Sequence, residues 1–146
     1  MSDKKVLLET RNLRKYFETH KRMLHAVEDV NLQIKEGETL GVVGESGCGK
    51  STLGRTILRL LPATGGQVLY DGQDVLKFRG RQLKQMHVNM QMIFQDPFTS
   101  LNPRLSISNI IAEPMKVCGI AGNRRIMQEK IHELMEVCGL PARYVN

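Results

Sequence analysis

The 146-residue chain has few cysteines, no long apolar run and no apolar region at its start. Its three cysteines are odd in number and none has C-x-x-C spacing, which indicates neither a disulfide framework nor a zinc site and favours a reducing cytosol. No apolar run approaches the roughly 20 residues of a membrane-spanning helix. The start, Met-Ser-Asp-Lys-Lys-Val, lacks the apolar region of a signal peptide. Any work at a membrane is therefore expected to depend on partner subunits.

The charge balance is basic, with a formal net charge of +6 and seven Lys or Arg residues before position 23. Such a balance suits phosphate-bearing ligands, nucleic acid or an acidic membrane surface without choosing among them. No aromatic-studded basic patch and no recognised nucleic-acid module is visible in the sequence. We therefore interpret the charge as a solvated basic surface and do not expect nucleic acid as a partner. The length suits one domain or part of one.

A glycine-rich motif occupies residues 44–51, Gly-Glu-Ser-Gly-Cys-Gly-Lys-Ser, which matches the phosphate-binding P-loop pattern G-x-x-x-x-G-K-[ST]. Glycines let the backbone curl so that its N–H groups face a cluster of phosphate oxygens. Lys50 is expected to reach the β- and γ-phosphates, and the Ser51 hydroxyl to bind Mg²⁺. The predicted nucleotide-binding residues are Gly44, Glu45, Ser46, Gly47, Cys48, Gly49, Lys50, Ser51 and Thr52.

The flanks of the loop fit this interpretation. The apolar run 38–43 predicts a buried strand before the loop, and Leu53, Ile57, Leu60 and Leu61 predict one face of a helix after it. Further strands are predicted over 6–17, 24–34, 67–70 and 88–94, with an Asp71-Gly72 turn and a helical turn over 79–86. Helices are predicted near 106–117 and 123–138, the second with Met127, Ile131, Leu134, Met135 and Cys138 on one face. Strands mixed with helices around a P-loop indicate an α/β fold.

Several stretches resemble the ATP-binding subunit of ABC transporters that import dipeptides and oligopeptides, or nickel in some members. These stretches run from Leu24-His25-Ala26-Val27 through Lys35-Glu36-Gly37-Glu38 and the P-loop into Ser51-Thr52-Leu53-Gly54-Arg55. The narrowest match is the run over 91–104, Gln-Met-Ile-Phe-Gln-Asp-Pro-Phe-Thr-Ser-Leu-Asn-Pro-Arg. A P-loop alone is shared by many NTPase families, whereas this run is typical of far fewer.

The resemblance implies a P-loop NTPase core with an antiparallel β subdomain and the start of a helical subdomain. In domain terms, 1–146 would be the N-terminal part of one nucleotide-binding domain, with the core over about 1–95 and the Q-loop and helical region over about 96–146. The implied cofactors are ATP and Mg²⁺. The implied partners are membrane-embedded permease subunits, contacted through the Q-loop and helical region, and a second nucleotide-binding subunit. The implied location is the cytoplasmic face of the cell membrane.

Two further site residues follow from the resemblance. Gln95 would be the Q-loop glutamine, a catalytic residue that binds Mg²⁺ or positions the attacking water. Tyr16 would stack on adenine. By residue type alone, Gln95 is better explained as a loop residue capping a strand end. Tyr16, and its neighbour Phe17, are equally explained as core residues.

The motifs for ATP hydrolysis are absent from this sequence. Val68-Leu69-Tyr70-Asp71 imitates a Walker B carboxylate strand, yet Gly72 follows and a hairpin turn is the better interpretation. Asp96 is followed by Pro97 where a catalytic Glu would stand. Thr64-Gly65-Gly66-Gln67 imitates the signature motif but continues as a strand. No histidine fits the switch position. We therefore expect this chain to be a fragment of a longer protein. The longer protein would hydrolyse ATP, and the fragment alone would be inactive.

Two other functions stay open at this point. In a P-loop kinase acting on a small molecule, Asp71 would supply the acidic group. In a non-catalytic interaction fragment, the loop would be occupied but inert.

Overall fold

A computed structural model describes residues 4–20, 22–96, 100–120 and 122–144. The chain divides into two compact units, Met1–Gln91 and Met92–Asn146. The first unit contains the sheet and the P-loop, and the second contains two helices. Among the described residues, no helix combines the length and the apolar character needed to cross a bilayer.

The sheet of the first unit has four antiparallel strands in the spatial order β2-β1-β3-β4. The strands are β1 (Val6–Glu18), β2 (Met23–Lys35), β3 (Gly65–Tyr70) and β4 (Gln73–Asp74). The predicted Asp71-Gly72 turn joins β3 to β4, and both residues have positive φ, 50° and 76°, as a two-residue hairpin turn requires. The first three strands were predicted within a few residues of these bounds.

Bulges interrupt the long β1–β2 pair, where the pairing of residues shifts by one position. Thr10 pairs with Leu32 and Leu13 with Val30, so β1 carries one more residue than β2 between these pairs. The buried Thr10 hydroxyl bridges the irregular step, because it donates to the carbonyl of Val30 (2.9 Å) and accepts from the N–H of Leu32 (3.1 Å). The hydroxyl thus supplies hydrogen bonds that the irregular ladder would otherwise lack.

Two helices cover one face of this sheet: α1 (Lys50–Ile57) and α2 (Gly80–Asn89). Helix α1 is shorter than predicted, because Arg59 adopts φ 55° and the chain turns away, leaving Leu60 48% exposed. The Arg59 guanidinium instead donates to the carbonyl oxygens of Val75 and Phe78. The buried core of this unit consists of Leu8, Leu13, Val27, Leu53, Ile57, Val68, Val75 and Met86.

Two predicted strands are wrong. Residues 38–43 form no strand, and Val43 is 96% exposed. An isolated extended segment gains ladder hydrogen bonds only from a neighbouring strand, and none of the described strands pairs with this segment. Residues 88–94 form no strand either, because α2 runs through Asn89, with Met86 buried in the core, and Ile93 beyond it is 98% exposed. Burial of Met86 on one face of α2 therefore favoured a helix over the strand that the alternating pattern predicted.

The second unit contains a pair of helices, α3 (Ile107–Cys118) and α4 (Arg124–Val137), close to the predicted positions. Each helix has a side-chain N-cap: Ser106 accepts from Asn109, and Asn123 accepts from Ile126. The two helices bury Ala112, Met115, Ile131 and Met135 against each other. The predicted apolar face of α4 is therefore right at Ile131 and Met135 and wrong at Leu134 and Cys138, which are exposed.

Candidate functional site

The glycine motif forms a loop between segment 38–43, which has no regular secondary structure, and the first turn of α1. Gly47 and Gly49 have φ of 79° and 99°, a region that residues with a Cβ rarely adopt. A Cβ on Gly49 would overlap the carbonyl oxygen of Ala26 in β2. Glycine at this position therefore allows the loop to lie directly against the sheet, at the point where α1 begins.

The Lys50 side chain turns back into this loop. Its Nζ donates to the carbonyl oxygens of Gly44 (2.7 Å) and Glu45 (2.6 Å) and lies 3.5 Å from the Sγ of Cys48. One ammonium thus joins the first two residues of the motif to the helix start and concentrates positive charge inside the curl. The side chains of residues 45, 46 and 48 are exposed around it.

Helix α1 presents its N-terminus to the same place. Gly49 is its N-cap in the left-handed conformation, and no side chain caps the helix. The positive end of the helix dipole therefore adds to the Lys50 charge, an arrangement that attracts anions. Ser51 is exposed in this first turn and Thr52 is half-buried. Buried Leu53, Thr56 and Ile57 anchor the helix to the sheet beneath.

The donor set suits a triphosphate and its Mg²⁺. Mg²⁺ is bound in such sites by one or two protein oxygens together with phosphate oxygens and water. The exposed hydroxyl of Ser51, the residue after Lys50 in sequence, is an oxygen of this kind. The Lys50 ammonium thus suits the triphosphate, and the Ser51 hydroxyl suits Mg²⁺.

Tyr16 lies on β1 opposite His25 of β2. The two rings stack, with centroids 3.9 Å apart and planes 14° from parallel. The Tyr16 hydroxyl donates to Oε1 of Glu28 (2.7 Å), and Oε2 of Glu28 lies 2.6 Å from Nδ1 of His25. The hydrogen bond to Glu28 raises the pKa of the Tyr16 hydroxyl and lowers the pKa of the Glu28 carboxyl.

A bulge in β2 makes this trio possible. Residues three apart in a regular strand point to opposite faces, so His25 and Glu28 would normally diverge. Lys15 pairs with Val27 and Tyr16 pairs with His25, which leaves Ala26 as an additional residue between them. The bulge resets the alternation, and both side chains meet Tyr16. Ala26 is also the residue whose carbonyl oxygen lies against Gly49, so the bulge supplies the backbone contact between β2 and the P-loop.

Phe17, the alternative aromatic, is in a different setting. The buried Lys15 places its Nζ 4.7 Å from the centroid of the Phe17 ring. Lys15 and Phe17 are two residues apart and share a face of β1, whereas Tyr16 points to the opposite face. The structure therefore associates Tyr16, and not Phe17, with the ring stack at His25.

Gln95 belongs to the second unit, where its side chain is exposed at a bend. Beyond it, the Ser100 hydroxyl donates to the carbonyl oxygen of Asp96 (2.8 Å). Residues 97–99 of the Gln-Asp-Pro-Phe run lie outside the described residues. The role of Gln95 stays a prediction.

The two imitations of catalytic motifs are structural elements, as predicted. Asp71 stands at the corner of the β3–β4 hairpin and forms an ion pair with Lys5. Residues 65–67 begin β3, and Thr64 accepts a hydrogen bond from the N–H of Tyr16 (2.9 Å). Sequence reasoning missed the roles of His25 and Glu28. The one sequence signal for these contacts was the presence of His25 in the Leu-His-Ala-Val run. The contact of His25 with Tyr16 depends on the strand register and on a bulge, which the residue pattern does not reveal.

Both the family that this chain matches and its relatives are named for transport. Residues 27–145 match the family described as ABC transporter. The chain is 45% identical over 141 residues to the oligopeptide transport ATP-binding protein OppF of Bacillus subtilis, covering 96% of this chain and 46% of that protein. It is 40% identical over 155 residues to OppF of Salmonella typhimurium, covering 100% of this chain and 46% of that protein. The chain thus spans about half the length of the curated relatives it matches.

A solved structure is also similar. The dimeric post-hydrolysis state of the ATP-binding cassette MJ0796, bound to ADP and Pi, matches with a TM-score of 0.78 and 25% identity. The match covers 96% of this chain and 60% of that chain.

Proposed function

Since this chain belongs to the ABC transporter family, we propose that its P-loop binds ATP together with Mg²⁺. The observation that carries the proposal is the Lys50 ammonium, held by the carbonyl oxygens of Gly44 and Glu45 at the uncapped N-terminus of α1. Fixed positive charge and free backbone N–H groups at one point form a receptor for a triphosphate.

Each predicted site residue has a role in this proposal. The backbone of residues 44–49 surrounds the phosphates, and Lys50 contacts their β- and γ-oxygens. Ser51 binds Mg²⁺, which would neutralise charge between the β- and γ-phosphates, while Thr52 continues the helix start. Tyr16 would stack on the adenine base, the role that the resemblance to the family implies for it. Gln95 binds Mg²⁺ or positions water.

The longer protein is proposed to hydrolyse ATP and thereby drive import of oligopeptides or dipeptides. The OppF relatives, named for oligopeptide transport, support this substrate class. Its partners would be permease subunits, contacted through the Q-loop and the helical region over about 96–146, and a second nucleotide-binding subunit, as the dimeric cassette suggests. The core would extend over about 1–95. The complex would lie at the cytoplasmic face of the membrane.

ATP binding is tested by displacing a fluorescent ATP analogue from the chain with unlabelled nucleotides in the presence of Mg²⁺. ATP and ADP should compete, whereas AMP, which lacks the β-phosphate, should compete at least tenfold more weakly. Equal competition by AMP would contradict recognition of the phosphate tail.

Hydrolysis and transport need separate measurements. We expect no phosphate release by residues 1–146 alone; release that Lys50→Ala abolishes would contradict this. For transport, deletion of the encoding gene should abolish uptake of a labelled oligopeptide, and a plasmid copy should restore it. Unchanged uptake of oligopeptides and dipeptides would contradict peptide import while leaving ATP binding intact.

A further inference from the structure

A groove lies between the two helices of the second unit, α3 and α4. Its volume is about 650 Å³, within the range of roughly 300–1,000 Å³ that is usual for small-molecule sites in proteins. All of its described lining residues belong to the second unit, whereas the P-loop belongs to the first. The groove is therefore not part of the site proposed for ATP.

Helical spacing places cationic and polar side chains along this groove. Residues four apart share one face of a helix. On α4, Arg124, Gln128 and His132 follow this spacing and all line the groove. On α3, Ala112 and Lys116 do the same. The described lining thus includes the ammonium of Lys116 and the guanidinium of Arg124, and it includes no carboxylate.

The acidic residues of α4 lie outside the groove. Glu129 and Glu133 come one position after the groove-lining residues, on the neighbouring face of the helix, and Glu129 pairs with Arg125 at 2.9 Å. Within the described part of the chain, neither Lys116 nor Arg124 forms an ion pair or a side-chain hydrogen bond. No carboxylate of the described residues therefore offsets these two charges.

Hydrogen-bond donors and an apolar floor complete the groove. The Oδ1 of Asn123 accepts from the N–H of Ile126 (2.9 Å), so the side chain offers its amide N–H groups to a ligand. Gln128 lines the groove with a second amide. The side chains of Met127 and Ile131 are apolar, and Ile131 is buried between the helices. Cations, amide donors and an apolar surface together suit an anion that carries an apolar part.

The two charges favour phosphate over carboxylate. A phosphate monoester carries a charge of about −1.5 to −2 at pH 7, which matches two cations, whereas a carboxylate carries only one charge. Guanidinium and ammonium groups both bind phosphate oxygens through charge-assisted hydrogen bonds. Lys116 is in the last turn of α3 and Arg124 begins α4. Both charges therefore lie at the end of the groove next to the connection 119–123.

We infer that the α3–α4 groove binds a phosphate monoester. Its phosphate group contacts Lys116 and Arg124, and its apolar part lies on Met127 and Ile131. Two sources share this chemistry: a soluble phosphate ester and the headgroup of a phosphomonoester lipid. The inference does not depend on nucleotide binding by the P-loop.

Phenyl phosphate is the probe, because it joins a phosphate group to an apolar ring. It is titrated into the ¹⁵N-labelled chain while the N–H signals of Asn123 and Gln128 are followed by NMR, which locates binding at the groove and not at the P-loop. Both signals should shift and saturate. Phenol lacks the phosphate and inorganic phosphate lacks the ring, so each should bind at least about tenfold more weakly.

Glutamine variants test the two cations. Lys116→Gln and Arg124→Gln should each weaken phenyl phosphate binding about three- to tenfold. Lys130→Gln is the matched control, since it removes the same charge from a position of α4 outside the groove, and it should stay within about twofold of wild type. The dispersion of the NMR spectrum checks that each variant is folded.

Vesicles distinguish the two sources. The chain is sedimented with vesicles of phosphatidylcholine that do or do not contain phosphatidic acid, a phosphomonoester lipid. Binding that requires phosphatidic acid and is lost in Lys116→Gln and Arg124→Gln, but kept in Lys130→Gln, supports the inference and assigns the lipid. Saturation by phenyl phosphate without vesicle binding supports it and assigns a soluble ester.

Two results would overturn the inference. One is the absence of shifts in the signals of Asn123 and Gln128 at millimolar phenyl phosphate. The other is equal weakening in Lys130→Gln and the two groove variants, which would indicate general attraction to a basic surface.

Discussion

The Nζ of Lys50 lies 2.7 Å from the carbonyl oxygen of Gly44, so the lysine of the P-loop closes the loop on itself. The bond links the first residue of the motif to the first residue of α1 and holds the ammonium where an anion would enter. The positive charge is therefore fixed in position before a ligand arrives, which reduces the cost of ordering the site on binding.

The loop conformation predicts unequal effects of alanine at two glycines. Gly49→Ala combines a φ of 99° with overlap against Ala26, whereas Gly47→Ala meets open space at a φ of 79°. We expect Gly47→Ala to cost about 1 kcal/mol, the strain of a left-handed residue, and Gly49→Ala to cost at least about 2 kcal/mol. Urea unfolding followed by far-UV circular dichroism measures both. Equal losses would contradict the close contact between loop and sheet.

The bulge in β1 predicts a specific need for a hydroxyl at position 10. Thr10→Val keeps the shape but leaves the buried carbonyl of Val30 and the N–H of Leu32 without their side-chain partner. The expected loss of unfolding free energy is about 1–3 kcal/mol. Thr10→Ser retains the hydroxyl and serves as the matched control, with a smaller loss from one missing methyl group. The account of the bulge fails if valine is tolerated as well as serine.

The Tyr16–Glu28 hydrogen bond predicts a delayed tyrosine titration. The bond raises the pKa of the Tyr16 hydroxyl, so its contribution to stability is complete below the ordinary tyrosine pKa of about 10 and disappears as the pH rises through the raised value. Absorbance at 295 nm should show one tyrosine ionising late. Tyr16→Phe should remove that late step, and Glu28→Gln should move it back toward the ordinary range. A late step that persists in Tyr16→Phe would assign it elsewhere.

Local signals account for what the sequence predicted correctly. The P-loop is specified by glycines and a lysine within eight residues, and the paired helices of the second unit by capping residues and apolar spacing. The family is confirmed by the match over residues 27–145, and the α/β cassette fold by the solved structures. These features need no knowledge of distant contacts.

Distant contacts account for what the sequence did not reveal. The segments 38–43 and 88–94 have the apolar patterns of strands, but a strand also needs a neighbour, and residue pattern alone does not supply one. The link between Tyr16 and Glu28 depends on the bulge at Ala26, which shifts the side-chain alternation of β2 by one position. A single displaced residue in the register decides that contact.

Recognition of the nucleotide phosphates by Lys50 is tested by the affinity of the chain for MgATP in Lys50→Ala, compared with Lys84→Ala. Both variants remove one positive charge, but Lys84 is an exposed residue of α2 outside the loop. We expect Lys50→Ala to weaken MgATP binding by at least about tenfold, since a charge-assisted contact to phosphate is worth roughly 1.5–3 kcal/mol. Lys84→Ala should stay within about twofold of wild type. Equal affinities in the two variants would contradict phosphate recognition by Lys50.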